Sequence, residues 1–159
     1  INPNPESFVT RLIAEGRPYA LWLNMTRALA AADNAVLTYR VFDLGGGARD
    51  CTARPERWGD AVLVRKDTPT SYHLANVIDD ALQGITHIIR GTDLEAATDL
   101  HVLLQRLLGL PTPAYHHHRL ILDENGRKLS KSAGDLSLAA LRAQGATPDD
   151  IRAMVGLAS

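Results

Sequence analysis

The chain has 159 residues and a mass of 17.3 kDa, enough for one domain or two small ones sharing a core. Hydrophobic residues make up 45% and charged residues 22%, which excludes a disordered tail, a collagen-like fibre and a disulfide scaffold. Seventeen Lys and Arg against eighteen Asp and Glu give a net charge of −1, so no whole-chain basic surplus for nucleic acid exists and only a local patch remains open. Apolar runs extend only a few residues, too short for a membrane-spanning helix. Cys51 is the only cysteine, so neither an internal disulfide nor a Cys-based zinc site is available. A reducing, cytoplasmic compartment is the expectation, with no signal-peptide pattern. The start at Ile1 rather than Met reads as a fragment or a processed product.

The first helix is predicted from Asn4-Pro5, a cap and a first-turn proline, with Phe8, Val9, Leu12 and Ile13 at helical spacing and Gly16 as its stop. Tyr19 to Leu23 and Val36 to Phe42 read as strands, with a short helix from Met25 to Ala32 between them. Gly45-Gly46-Gly47 reads as a plain turn; a phosphate cradle is the alternative, but no GxGxxG spacing follows a strand. Ala61 to Arg65 reads as a buried strand. A helix capped by Thr70 or Ser71 runs to about Gln83, with an apolar stripe of Leu74, Val77, Ile78, Ala81 and Leu82 ending at Gly84.

Ile85 to Arg90 is the next predicted strand, and Glu95 to Leu108 the next helix, stopped by Gly109 and Pro111. This alternation predicts an α/β fold, a parallel sheet with crossover helices, whose ligands bind beyond the carboxyl ends of the strands. Leu120 to Leu122 reads as a short strand and Asp123-Glu124-Asn125-Gly126 as a turn. Two small helices close the chain, one from Ser137, the other capped by Thr147 with Pro148 in its first position.

The sharpest chemical feature is Gly126-Arg127-Lys128-Leu129-Ser130-Lys131-Ser132-Ala133-Gly134. Two lysines three apart, interleaved with hydroxyls and flanked by glycines, can wrap a polyphosphate: the ammoniums supply point charges and the serines donors. By itself such a segment is also an ordinary solvated loop. His116-His117-His118 alternates faces if extended, so the three cannot easily ligate one metal, and a surface or phosphate contact is the expectation. His73, His87 and His101 lie on separate elements without ligand spacing. Asp79-Asp80 is read as a helix-end cap or loop partner rather than an acid–base or Mg²⁺ pair.

Lys128-Leu129-Ser130-Lys131-Ser132 resembles the KMSKS signature of class I aminoacyl-tRNA synthetases. Tyr72-His73-Leu74-Ala75-Asn76-Val77-Ile78-Asp79-Asp80 and Gly84-Ile85-Thr86-His87-Ile88-Ile89-Arg90-Gly91 resemble the glutamate-specific branch, in matching order and spacing. Within it, Ile121 to Ser132 and Ala143 to Arg152 are similar to the glutamyl-Q tRNA(Asp) synthetases, shortened relatives that attach glutamate to the queuosine base of tRNA(Asp) and lack an anticodon-binding domain.

The resemblance implies a ligase that forms glutamyl-adenylate, with L-glutamate, ATP (Mg²⁺ its counter-ion) and tRNA, queuosine-containing tRNA(Asp), as partners, and no membrane. It implies Lys128 and Lys131 as catalytic residues, Lys128, Ser130, Lys131 and Ser132 as ATP-binding, and Tyr72, Asn76 and Arg90 as glutamate-binding. No metal site is expected, and no zinc in this chain, since cysteines for it are absent. From the residues alone, Tyr72 could instead anchor its helix start, and Arg90 could ion-pair with Asp93 or Asp79.

The family's HIGH signature does not occur in the sequence. The resemblance therefore implies part of a Rossmann-like core: residues 1–60 from a connective insertion, 61–114 the second half of the nucleotide fold, and 115–159 the KLSKS loop with a helical segment. It also implies that this portion alone is inactive. A catalytic-core piece of an ordinary glutamyl-tRNA synthetase, or a non-catalytic tRNA-binding module, remains the alternative.

Overall fold

The computed structural model describes residues 5–123, 125–129 and 137–157. Asn4, Ser130, Lys131 and Ser132, each singled out from the sequence, lie outside the described residues. The chain divides into two compact units, residues 1–118 and 119–159.

In the first unit, helix α1 (Pro5–Ala14) is followed by strand β1 (Leu21–Leu23), helix α2 (Met25–Ala31) and the hairpin β2 (Thr38–Phe42) and β3 (Ala48–Thr52). A 3₁₀ turn at Pro55–Arg57 leads to β4 (Ala61–Val64), then α3 (Tyr72–Leu82), β5 (His87–Gly91), α4 (Glu95–Leu108) and β6 (Ala114–His118). The main sheet has the order β3-β2-β6-β5. Its strands β2, β6 and β5 are parallel, and β3 is an antiparallel edge. This is the mixed α/β architecture expected, with α4 as the crossover between β5 and β6.

Two strands differ from the sequence reading. Ala61–Val64 does not enter the parallel sheet; it pairs antiparallel with β1 in a separate two-stranded sheet, with a bulge at Leu21/Trp22. Only Ala61 in it is fully buried, and periodicity in so short an apolar run carries no information about its partner. The predicted strand at Leu120 to Leu122 reduces to one bridge between Leu122 and Lys128. Conversely, β3 and β6 are strands that the polar Ala48–Thr52 and the histidine-rich Ala114–His118 do not advertise.

Helix α4 is the centre of this unit. Leu100, Val102, Leu103 and Leu104 join Met25, Ala28, Leu37 and Val77 in one buried cluster. Residues 100–105 of α4 are all buried, because α2, α3 and the sheet surround it. The apolar stripe read on α3 is only partly used: Val77 is buried, whereas Ile78 is exposed and Leu82 is 81% exposed. Helices α3 and α4 end alike. Gly84 and Gly109 take positive φ, and the next residues, Ile85 and Leu110, donate back to Asp80 and Gln105 carbonyls. Such left-handed caps turn the chain sharply into β5 and β6.

The glycine triplet forms the β2–β3 turn. Asp43 fills it: its Oδ1 accepts from the Gly47 N–H at 2.9 Å, and a Cβ at Gly47 would collide with that carboxylate. A carboxylate already occupies the amide a phosphate would need. In the second unit, α5 (Leu138–Ala143) is capped by Ser137, and α6 (Pro148–Met154) by a reciprocal Thr147–Asp150 capping box.

Leu103 has no solvent exposure. Leu103→Ala should destabilise the first unit by about 2–5 kcal/mol, read as a lowered denaturation midpoint with little change in slope.

Candidate active site

Strand β5 alternates faces. Ile88 and Arg90 turn inward, while Ile89 between them is 59% exposed. Arg90 lies one residue before the carboxyl end of β5 and is only 8% exposed. Its guanidinium lies 5.0 Å from the centroid of the fully buried Tyr115 ring on neighbouring β6. Its Nε–H donates to His117 Nε2 at 3.4 Å, Nη1 to His101 Nδ1 at 3.1 Å and Nη2 to Thr98 Oγ1 at 2.6 Å. Among the described residues no carboxylate forms an ion pair with it. The Asp93 and Asp79 pairings open in the sequence are therefore not made.

A buried cation without an anion is costly unless something else compensates it. Here the compensation is local and uncharged. Thr98, His101 and Gln105 occupy positions i, i+3 and i+7 of α4, one face directed at the sheet. Gln105 Nε2 donates to the Tyr115 hydroxyl at 3.0 Å, and Tyr115 packs edge-on against Tyr39 and stacks with His117.

Tyr72 opens α3 directly after its cap, Ser71, whose side chain accepts from the Leu74 N–H. Its ring is 52% exposed and sits 6.0 Å from the His101 ring, so one histidine separates it from Arg90. Asn76, one turn further along α3, is half-buried, and no hydrogen bond joins it to Arg90 among the described residues. The sequence reading missed Thr98, His101, Tyr115 and His117. The i, i+3 spacing of Thr98 and His101 was the available signal, but a threonine and a histidine at that spacing carry no family signature. His73 Nδ1 and His101 Nε2, on separate elements and without ligand spacing in the sequence, are 3.0 Å apart.

The histidine triplet alternates as extended geometry requires. His116 Nδ1 lies 2.9 Å from the Phe42 carbonyl oxygen, whereas His117 reaches Arg90 and Thr98. Among the described residues no group of three or more His, Cys, Asp or Glu could hold a metal ion. No helix among them is long and apolar enough to cross a membrane. Two clefts open nearby. One, of about 770 Å³, includes Arg49, Arg54, Arg57, Trp58 and Asp99 in its wall; the other, of about 440 Å³, includes Phe42, Glu95, His116 and His117. Neither is walled by Arg90.

In the second unit, Asp123 organises the turn that leads into the cationic segment. Its Oδ1 accepts from the Asn125 and Arg127 N–H groups, and Gly126 takes a φ of +75°. The Leu122–Lys128 bridge then sets out Lys128 on an exposed stretch.

Comparison with known proteins decides the lineage. The family model for class I tRNA synthetases (E and Q), catalytic domain, matches residues 46–158. The chain belongs to that family. Over 99 residues it is 57% identical to the glutamyl-Q tRNA(Asp) synthetase of Rhodobacter capsulatus, covering 62% of this chain and 36% of the relative. Over 107 residues it is 43% identical to that of Symbiobacterium thermophilum, covering 64% and 33%. The glutamate-tRNA synthetase structure from Elizabethkingia anophelis superposes with a TM-score of 0.57 and 34% identity, over 83% of this chain and 25% of that one. The chain thus spans about a third of the length of the curated relatives it matches.

Within this class I synthetase fold, the arginine cluster has a defined protonation state. Burial, then Arg90 and His73, push the His101 imidazole down from 6.5 to about 3. Burial first and Arg90 next also lower His73 and His117. These groups are neutral in the fold but protonate near 6.5 when unfolded, so the unfolded state takes up more protons in acid. The His101 contribution is intact above 6.5 and is lost as pH falls from there toward about 3, and those of His73 and His117 change in the same direction. Asp80 works in the opposite sense, since burial raises its carboxyl. His101→Gln removes the contribution of His101 and leaves His73, His117 and Asp80 in place. It should flatten the fall in thermal midpoint between pH 6.5 and 4, as followed by melting across that series.

Proposed function

We propose that the full-length protein activates L-glutamate with ATP and transfers it to tRNA, with queuosine-containing tRNA(Asp) as the acceptor. The observation that carries this reading is the buried Arg90 guanidinium with no carboxylate partner among the described residues, in a chain of the class I synthetase family. An arginine so held grips an incoming carboxylate through two parallel bonds. The names of the similar bacterial relatives favour the glutamyl-Q acceptor.

In this reading Arg90 takes the glutamate side chain, and Tyr72 and Asn76 complete the amino-acid site. The glutamate carboxylate attacks the α-phosphate of ATP. That step needs little acid–base chemistry and is carried by positioning and charge neutralisation. Lys128, Ser130, Lys131 and Ser132 bind ATP, and Lys128 and Lys131 neutralise charge developing on the leaving pyrophosphate, with Mg²⁺ as the nucleotide's counter-ion. We further propose that the 159 residues by themselves form no adenylate, because they contain no HIGH signature.

The deciding experiment supplies labelled glutamate and ATP to the full-length protein and compares transfer to queuosine-containing tRNA(Asp) with transfer to tRNA(Glu). Label on tRNA(Asp) alone is expected; label on tRNA(Glu) would make the protein an ordinary glutamyl-tRNA synthetase. Arg90→Ala should raise the KM for glutamate roughly 10- to 150-fold, the loss expected for hydrogen bonds to a charged group. Lys131→Ala should instead slow adenylate formation about 100- to 1,000-fold with little change in glutamate affinity, as measured by pyrophosphate exchange.

A further inference from the structure

An arginine that already has an anion beside it is a poor receptor for another. The contacts of Arg90 avoid this. A guanidinium carries five N–H hydrogens and accepts none. Three are committed, to His117 Nε2, His101 Nδ1 and Thr98 Oγ1, which leaves one on each terminal nitrogen. Each committed contact goes to an uncharged acceptor.

From these contacts we infer that His101 and His117, with Thr98, are positioning residues that orient Arg90 as obligatorily neutral acceptors and so leave its charge for the carboxylate of the ligand. This rests on the glutamate reading above and adds to it what makes the site selective for an anion.

The tautomers follow from donor and acceptor roles. A ring nitrogen accepts from a guanidinium only through its lone pair, so His101 Nδ1 carries no hydrogen and its hydrogen sits on Nε2. That hydrogen points at His73 Nδ1, 3.0 Å away, which must then accept. His117 Nε2 likewise carries none, and its single lone pair is shared by the Arg90 Nε–H at 3.4 Å and the Thr98 hydroxyl at 3.0 Å, which itself accepts from Nη2. The chain of bonds has one direction throughout, from the cation outward. Protonating either histidine would turn an acceptor into a donor facing a guanidinium.

The groups facing the cluster do not all act in one sense: burial and Arg90 favour the neutral imidazoles, whereas Glu95 raises His117. From α3 come His73, Tyr72 and the carboxyl of Asp80, which has Asp79 beside it; from α4, Glu95; from β6, Tyr115, His116 and His118. Asp80 and Glu95 act on the cluster only at a distance, without an ion pair to Arg90 among the described residues. Burial and the arginine's own charge keep His101 and His117 unprotonated at neutral pH, in agreement with the hydrogen-bond geometry.

The test uses the full-length protein in glutamate-dependent ATP–pyrophosphate exchange, with two replacements of different charge. His101→Gln keeps a neutral acceptor and should leave the glutamate KM within about threefold of wild type. His101→Glu installs an internal carboxylate that competes for Arg90 and should raise it by on the order of tenfold or more, with the ATP KM unmoved. An unchanged glutamate KM in His101→Glu, or equal losses toward glutamate and ATP in both variants, would overturn the inference. Nitrogen-15 imidazole shifts of the wild-type protein give a second readout that needs no variant to fold. They should show His101 protonated on Nε2 only and His117 on Nδ1 only from pH 6 to 8, and an imidazolium at either position would overturn it. A wild-type protein without glutamate-dependent exchange would sink the glutamate reading itself, which the variants' KM values alone would not do.

Discussion

The first unit is organised around a positive charge removed from water. Arg90 could lie at the end of β5 only if its neighbours supplied what solvent no longer does, and several features of the fold serve that need. Tyr115 gives an aromatic face, α4 gives a hydroxyl and an imidazole on one side, and β6 gives another imidazole. The interior of α4 is therefore not uniformly apolar. Its leucines close the core against α2 and α3, while Thr98, His101 and Gln105 face the sheet. An ion pair would have neutralised the charge more simply, but would have left a group with little appetite for an incoming anion.

Much of the architecture was legible in the chain because local rules agreed with the global fold. The Ser71 cap, the Gly84 and Gly109 stops and the Thr147–Pro148 start appear where their backbone chemistry demands them. What failed were the pairings. Ala61–Val64 looks like a core strand, yet its partner β1 lies some forty residues earlier and runs antiparallel. Ala48–Thr52 and Ala114–His118 are polar enough to pass for loops, and only their ladder bonds reveal them. Strand partners are chosen by tertiary packing, which no window of a few residues reports.

The site was legible to a similar degree. Arg90 and Tyr72 stood out through their motif, while the residues that hold Arg90 did not. Thr98, His101 and His117 acquire meaning only when β5, α4 and β6 are brought together, since each alone is an ordinary polar residue. The stripe on α3 misled for a related reason. Periodicity shows which residues are apolar, but Leu82 remains exposed because nothing in the described residues packs there.

The alternation along β6 has a consequence for how the chain can vary in length. Tyr115 and His117 face α4 while His116 faces away, and these assignments are fixed by counting from the Gly109 cap. A single residue gained or lost between Leu110 and Pro113 that slid β6 by one position would exchange the two faces. His116 would then meet the arginine, and the tyrosine platform would turn outward. The short connection from α4 to β6 thus acts as a ruler: its length, more than the identity of its exposed residues Pro111 and Thr112, sets which faces meet.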